Sequence, residues 1–483
     1  MRTDEDRERG GLFGAVAVGA AALGLGEAIA ATKGGSLIDS VGRALIDTAP
    51  IPVVETTVEL SGRHDKLATR AGVGAGAVAA AAAIGALPGR LRIPAAAAVG
   101  MAAGALAARP AARSASAVAG AAAAAGVLAA GLRRRPRGAL QAMAWSLAGG
   151  GLLAAAHTLQ QDHDRRQDNA IRRLGPVGSL GVAPEDGLEG EAGLSALLTP
   201  THKLYVADVS LRPPRIDPAR WRLSVKGMVA HTLRLSLADL IADAVEFDAV
   251  LVCVHNRAGE GRAGNARWLG VPLTDLLRHA IPDAEATRLV TRAVDGYTIS
   301  LPLAALRSGE LPGYLVVGMN GQPLSPAHGF PARVLVPGLY GQYTGAKWLS
   351  ELELADDTHS DYWVRRGWTR ELLRVHPHAR IDSTLPGREI AGTTSVAGVA
   401  WAPPHGVAAV ELRVGQEDWQ PVELGAELSP ASWRRWRTTL KLPAGAHTLQ
   451  VRAISRSGQT QDGVERAPFP VGPTGFHTRT VQV

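Results

Sequence analysis

Polar residues almost vanish from the first third of the chain. Five stretches, 11–32, 68–89, 91–108, 114–132 and 138–158, consist mainly of Ala, Gly, Val and Leu with next to no charge. A spanning helix needs about 20 predominantly apolar residues, and each stretch comes close. A soluble helix would carry a charged face, which these lack, and small residues suit the close backbone approach of helices in lipid. The pattern predicts an all-α transmembrane bundle of about five spans over residues 1–158. The competing reading is a soluble alanine-rich region or low-complexity linker. Glu27 is an acid inside the first span: either a functional intramembrane group or, so near the span's end, a residue facing the interface.

After residue 158 the texture changes twice. Residues 159–195 are polar, contain Gly and Pro and keep no period, which predicts a linker. From 196 to 375, WRLSVKGMV (221–229) and LRLSLADLI (233–241) bracket a turn, and EFDAVLVCV (246–254) is a continuous apolar strand candidate. VPLTDLLRHA is a short helix, and GYTISLPLAAL and LVVGMNGQPL (315–324) read as strands, the latter turning after Met319. This is an α+β pattern. From 376 to 483, TSVAGVAWA, VAAVELRVG, WRRWRTTLKL and HTLQVRAISRSG alternate apolar and polar residues, predicting an immunoglobulin-like β-sandwich.

Charge sets the expected orientation. Arg90 and Arg92 lie between the second and third stretches, and Arg133, Arg134, Arg135 and Arg137 before the fifth, so these connections and the N-terminus, with Arg2, Arg7 and Arg9, belong inside. Five crossings then leave everything after residue 158 outside, although Arg109, Arg113, Arg165 and Arg166 fall on that side. RRRPRG before the fifth stretch also fits an internal twin-arginine export signal, without the usual Phe-Leu. The net charge of +7 points to no nucleic acid, because arginines alternate with acids and no basic helix stands out. It fits membrane-flanking arginine and an anion-attracting surface.

Cys253 is the only cysteine among 483 residues, so no internal disulfide exists. A lone cysteine is ordinarily a small buried apolar side chain. Here it ends an apolar run and precedes HNRAGEGRAGNARW, whose glycines and arginines suit a loop approaching an anion. Two chemistries could use the thiol. One is a nucleophile helped by His255, for which no orienting Asp or Asn is evident. The other is a single thiolate ligand to a soft, high-valent metal whose remaining ligands a cofactor supplies. Zinc is disfavoured, since neither C-x-x-C nor H-E-x-x-H occurs.

CVHNRAGEGRAGNARWLGVPLTDLL resembles the molybdenum-binding segment of the sulfite oxidase family, in which G-N-A-R-W-x-G-V-x-L opens the next helix. VGMNGQPLSPAHGFPARVLVPGLYGQYTGAKWLSELEL (317–354) and YWVRRGW (362–368) resemble two further segments of that family, and 376–483 its C-terminal dimerisation domain. The resemblance spans roughly 196–483, and the membrane portion is similar to anchors of actinobacterial members. It implies a molybdenum-molybdopterin cofactor with Cys253 as metal ligand, and His328, Arg333, Gly345, Ala346 and Lys347 as cofactor contacts. Imidazole, guanidinium, ammonium and backbone N–H groups suit a pterin edge and a phosphate. The resemblance further places Tyr297 at the metal oxo groups, Asp295 near a cofactor-contacting acid and Arg257 near the arginine that binds anionic substrate. The family's Arg-Arg pair is here Arg257-Ala258, and THKLYVADVSL stands where F-x-R-N-H is expected.

The implied activity is oxo transfer on a small oxyanion or S- or N-oxide. The implied setting is the plasma membrane, multi-pass and in contact with lipid, with the catalytic domain extracytoplasmic. No haem-attachment C-x-x-C-H is present, so electrons pass to a separate partner, a quinol system or a cytochrome; the sandwich suggests a homodimer. The rivals are a non-catalytic membrane-anchored binding module with a decayed site, and a cysteine hydrolase or thiol redox enzyme.

Overall fold

Each apolar stretch of the first third becomes a helix in the computed structural model, which describes residues 4–50, 53, 56, 65–108, 115–133, 139–179, 185–344, 346–383, 392–469 and 471–483. Arg2, Arg109, Arg113, Arg134, Arg135 and Arg137, used above for orientation and export, lie outside the described residues, and so does Gly345. The chain forms two units, residues 1–172 with 208–217, and residues 173–207 with 218–483.

The first unit is helical. Its described helices are α1 (Asp4–Ala31), α2 (Leu37–Thr48), α3 (Asp65–Ala86), α4 (Gly89–Ala107), α5 (Ala115–Arg133) and α6 (Ala139–Arg172). Two of them, over Gly14–Ala31 and Asp65–Ala86, are long and apolar enough to cross a membrane, which is weak evidence for spanning; the apolar run of α5, Ala115–Gly131, is shorter. Small residues hold the unit together. A Cβ on Gly120 would fall 2.2 Å from the Gly26 carbonyl oxygen, and one on Gly149 2.7 Å from the Ala20 backbone, so α1 packs backbone to backbone on α5 and α6.

Glu27 is buried in this unit, within hydrogen-bond reach of two helices. One carboxylate oxygen accepts from the Leu37 and Ile38 backbone N–H groups at 2.9 and 3.1 Å, the other from Gln160 Nε2 at 3.0 Å. It thereby satisfies two of the donors left open at the start of α2.

Two expected boundaries move. The linker predicted from residue 159 begins only after Arg172, because α6 is already nucleated and meets no Gly or Pro before Gly175. Residues 208–217, expected in the α+β domain, belong with the helices. Arg212 meets Asp39 at 3.2 Å, Arg215 meets Asp164 at 2.8 Å, and Arg70 donates to the Leu211 carbonyl at 2.7 Å.

Among the described residues the second unit carries two five-stranded sheets and a pair of four-stranded ones. In the first sheet β1 (Leu223–Gly227) lies between β2 (Leu233–Leu235) and β10 (Leu349–Ala355), followed by β5 (Arg288–Ala293) and β6 (Thr298–Pro302); β1 and β10 run parallel. In the second, β3 (Val245–Val252), β4 (Ala263–Pro272), β7 (Tyr314–Met319) and β8 (Gln322–Pro323) follow in order, with β9 (Arg333–Leu335) on β7. Asn320 and Gly321 both have positive φ in the β7–β8 turn, as an Asn-Gly hairpin requires.

GNARWLGVP does not open a helix: it is strand β4, and the helix α8 (Leu273–Ala280) starts only after Pro272. Pairing explains this, because β4 has β3 on one side and β7 on the other. The β3–β4 register is locked by Asp248 opposite Arg267, whose guanidinium grips the carboxylate at 3.0 Å through two nitrogens. Burial of Val250, Leu251 and Val252 adds to this, each contributing about 1.5–3 kcal/mol. The remaining helices are short, α7 (Leu237–Ala242) and α9 (Leu303–Arg307).

Beyond residue 376 the fold is all β. β11 (His378–Ile381), β12 (Thr393–Trp401), β16 (Arg434–Lys441) and β15 (Glu423–Leu424) form one antiparallel sheet. β14 (Gln420–Pro421), β13 (Val407–Val414), β17 (Ala446–Ser455) and β18 (His477–Gln482) form the other. Ile381, Val396 and Trp436 from the first share one core with Val410, Leu412 and Val451 from the second.

Candidate active site

Cys253 stands one residue past β3, where its backbone N–H still pairs with Arg262 O at 2.9 Å across the hairpin. The side chain is 9% exposed, and burial pushes the thiol up. The backbone N–H of His255 and the charge of Arg262 pull it down, and Glu260 pushes it up again. Of the arginines in this loop, Arg262 pulls the thiol down, and Arg257 is exposed. Buried Asn256 ties the loop: its N–H donates to Cys253 O at 3.0 Å and its Oδ1 accepts from Arg262 N at 2.8 Å.

The sandwich buttresses the same loop. Gly259 has φ +82°, and a Cβ there would stand 2.4 Å from the His477 imidazole, so only glycine fits. Arg380 donates to Glu260 O at 3.1 Å. His477 and its neighbour His378 are both buried, and burial holds them down at about 4 and about 3.

His328, Arg333 and Lys347 converge through one glycine. Pro326–His328 forms a 3₁₀ turn capped by Ser325, and Gly329 follows at φ +110°. A Cβ on Gly329 would lie 3.2 Å from the Cβ atoms of both Arg333 and Lys347. His328 Nε2 donates to Leu204 O at 3.3 Å, leaving Nδ1 to accept from the Ser325 hydroxyl at 2.8 Å, which is the neutral imidazole. Burial and the Arg333 charge lower it to about 4.

Arg333 is 4% exposed and lies 5.8 Å over the Trp268 ring. Its Nη1 reaches His328 O at 3.3 Å, but Nε is buried without a hydrogen-bond partner and no described carboxylate pairs with it. Burial lowers the guanidinium to about 10. Lys347 donates to Ala327 O at 2.9 Å and sits 4.8 Å from the Trp348 ring centre. Ala346 is fully buried, and so is Thr344, whose hydroxyl has no hydrogen-bond partner. Buried cation and orphaned donor together suit an anionic, many-acceptor group.

Tyr297 and Asp295 belong to the β5–β6 hairpin. Asp295 accepts from Tyr297 N at 3.1 Å, and Gly296 turns the chain at φ +83°. The Tyr297 hydroxyl donates at 2.9 Å to the carbonyl of Gln342, on the loop that leads into Lys347, and accepts from Trp363 Nε1 at 2.6 Å.

Tyr205 links the thiol to the cationic side. Its phenol is pushed well above its ordinary value by burial and by the neighbouring Cys253, while Arg333 pulls it back. Tyr205, Arg262 and Thr344 lie inside the segments quoted above but have no individual role there; proximity in the fold singles them out.

Among the described residues no group of three or more His, Cys, Asp or Glu could hold a metal ion. A metal at Cys253 would therefore have to bring its other ligands with it.

A family model described as oxidoreductase molybdopterin binding domain matches residues 210–363. The uncharacterized oxidoreductase YuiH of Bacillus subtilis (strain 168) is 34% identical over 166 residues, 34% of this chain and 79% of that protein. The chain belongs to the sulfite oxidase family of molybdopterin oxidoreductases. Human mitochondrial sulfite oxidase is 28% identical over 309 residues, 54% of this chain and 55% of that protein. The chain thus spans about half the length of the mitochondrial sulfite oxidases it matches. The fold is shared with the sulfane dehydrogenase SoxCD from Paracoccus pantotrophus, at TM-score 0.53 and 20% identity over 64% of this chain and 87% of that one.

Proposed function

We propose that this family member is a membrane-anchored molybdopterin-dependent oxidoreductase that carries out oxo transfer on a small sulfur or nitrogen compound, sulfite-like or sulfoxide-like. The observation that carries the reading is the buried Arg333 guanidinium, unpaired at Nε and joined through Gly329 and Leu204–Tyr205 to the Cys253 hairpin.

His328, Arg333, Ala346 and Lys347, with Gly345, would hold the molybdopterin, and Cys253 would ligate its metal. When bound, that cofactor supplies a two-electron oxo exchange with substrate. The protein's part is to bind and orient. Arg333 and Lys347 offer cationic donors to phosphate and pterin acceptors. His328 stays neutral and adds no charge, and its one N–H holds the Leu204 carbonyl at the rim of the site. The Cys253 thiol, pushed up by burial, keeps its proton until a metal displaces it, which makes it a poor nucleophile for hydrolysis. Arg262 and Arg257 on the hairpin draw an anionic or S-oxide oxygen toward the sulfur. Tyr297 and Asp295 shape the neighbouring hairpin.

The helical unit serves as a multi-pass anchor in the plasma membrane. In support, Leu140, Met143 and Leu147 stand exposed on one side of α6, and Gly149 of α6 lets the Ala20 backbone of α1 approach closely. Apolar surface outside and small residues inside is the arrangement lipid favours. With the basic connections inside, the catalytic unit lies outside the cytoplasm and exchanges electrons with a quinol system or a cytochrome. The terminal β region takes the immunoglobulin-like, dimerising role.

The test is metal and pterin analysis of the full chain made by a cofactor-competent host, followed by a substrate screen. Sulfite with ferricyanide, and dimethyl sulfoxide with reduced viologen, are assayed for turnover. Stoichiometric molybdenum with turnover of either supports the proposal. A chain free of molybdenum is the binding module with a decayed site.

A further inference from the structure

One phenol at the site is placed by the fold for a task the family motifs do not name. Leu204 is buried, and its carbonyl receives the His328 Nε2–H at 3.3 Å. That bond fixes the backbone one residue before Tyr205, which is half-buried. A Cβ built on Gly341 would fall 2.9 Å from Tyr205 Oη and 3.4 Å from the Val252 carbonyl oxygen. Gly341 N donates to that same carbonyl at 2.7 Å. The missing Cβ is therefore the seat of the Tyr205 hydroxyl, one residue away from Cys253.

Among the described residues the Tyr205 hydroxyl makes no hydrogen bond. The contrast with Tyr297 decides its meaning. A phenol has one proton to give. Tyr297 gives its own to the Gln342 carbonyl and receives Trp363 Nε1–H, so its hydroxyl is committed to protein on both counts. Tyr297 holds the 340–344 loop at Gln342; Tyr205 meets the same loop at Gly341, with its proton uncommitted.

We propose that Tyr205 is a catalytic residue of this site, its O–H donating to an oxygen of the cofactor or substrate held beside Cys253, while Tyr297 positions the loop that seats it. The inference rests on the proposed molybdopterin function. A donor aimed at developing negative charge on oxygen in a water-poor site contributes about 10²–10³-fold in kcat. The His328–Leu204 bond gives His328 a second duty, since it orients Tyr205 through the backbone.

The full chain labelled with 3-fluorotyrosine gives six fluorine resonances, and those of Tyr205 and Tyr297 are assigned with Tyr205→Phe and Tyr297→Phe. Loading with molybdopterin shifts the Tyr205 resonance and leaves that of Tyr297 in place. On whichever of sulfite and dimethyl sulfoxide is turned over, Tyr205→Phe lowers kcat about 10²–10³-fold with KM little changed, and Tyr297→Phe lowers it less than about tenfold. Gly341→Ala, which displaces the phenol, repeats the kcat loss if Tyr205→Phe fails to fold. A shift confined to Tyr297, or wild-type kcat in folded Tyr205→Phe, overturns the inference alone. A chain that takes up no molybdopterin overturns the function and this inference together.

Discussion

Replacing Arg333 by methionine stabilises the cofactor-free chain and weakens its hold on cofactor. The guanidinium is held well below its ordinary value, down to about 10, chiefly by burial. A neutral assay pH lies below both values, so the group is charged folded and unfolded and the whole cost of burying that charge, about 3 kcal/mol, is present. Methionine has similar reach and no charge. It forfeits the 3.3 Å hydrogen bond to His328 O, about 1 kcal/mol, leaving a net gain of about 2 kcal/mol. Thermal unfolding of cofactor-free protein, followed by tryptophan emission, reads this as a rise in Tm of about 4 °C. Cofactor retention on dilution falls about 10–100-fold, the worth of a charge-assisted hydrogen bond to an anion. A lowered Tm together with unchanged retention would refute the argument that this charge is kept for a ligand.

Acid should unfold the second unit early. His378 and His477 have folded values of about 3 and about 4 against an ordinary 6.5, so the unfolded chain takes up protons first. The stability is intact above about pH 6.5 and lost as pH falls toward 4, by about 3 kcal/mol from His477 alone. Urea midpoints measured from pH 7.5 to 4.5 show this decline, and His477→Asn, whose amide oxygen can still accept from Ile381 N, shows about half of it. In the helical unit, Glu27→Leu strands the Leu37, Ile38 and Gln160 donors and costs about 3 kcal/mol by circular dichroism melting in detergent, while Glu27→Gln keeps full turnover. Loss of turnover in Glu27→Gln would instead favour the functional intramembrane reading of that acid.

Much of this architecture is local and so legible along the chain. The apolar stretches become helices because composition alone drives them, and the β3 apolar run with its terminal Cys253 follows from period and burial. HGFPAR and GAKW announce His328, Arg333 and Lys347, although only the fold shows that the stems of Arg333 and Lys347 both come up against Gly329. What escaped depends on distant partners. GNARW becomes a strand because β3 and β7 flank it, and residues 208–217 join the helices because Asp39 and Asp164 await their arginines. Tyr205 escaped because the bond that places it comes from His328, far along the chain.

The central claim is a bond between the Cys253 sulfur and molybdenum. Molybdenum K-edge absorption fine structure of the loaded full chain, set beside Cys253→Ser, measures it directly. The account predicts one fewer sulfur neighbour at the metal in the variant, with the pterin content retained through Arg333 and Lys347. An unchanged sulfur count in loaded Cys253→Ser would contradict it.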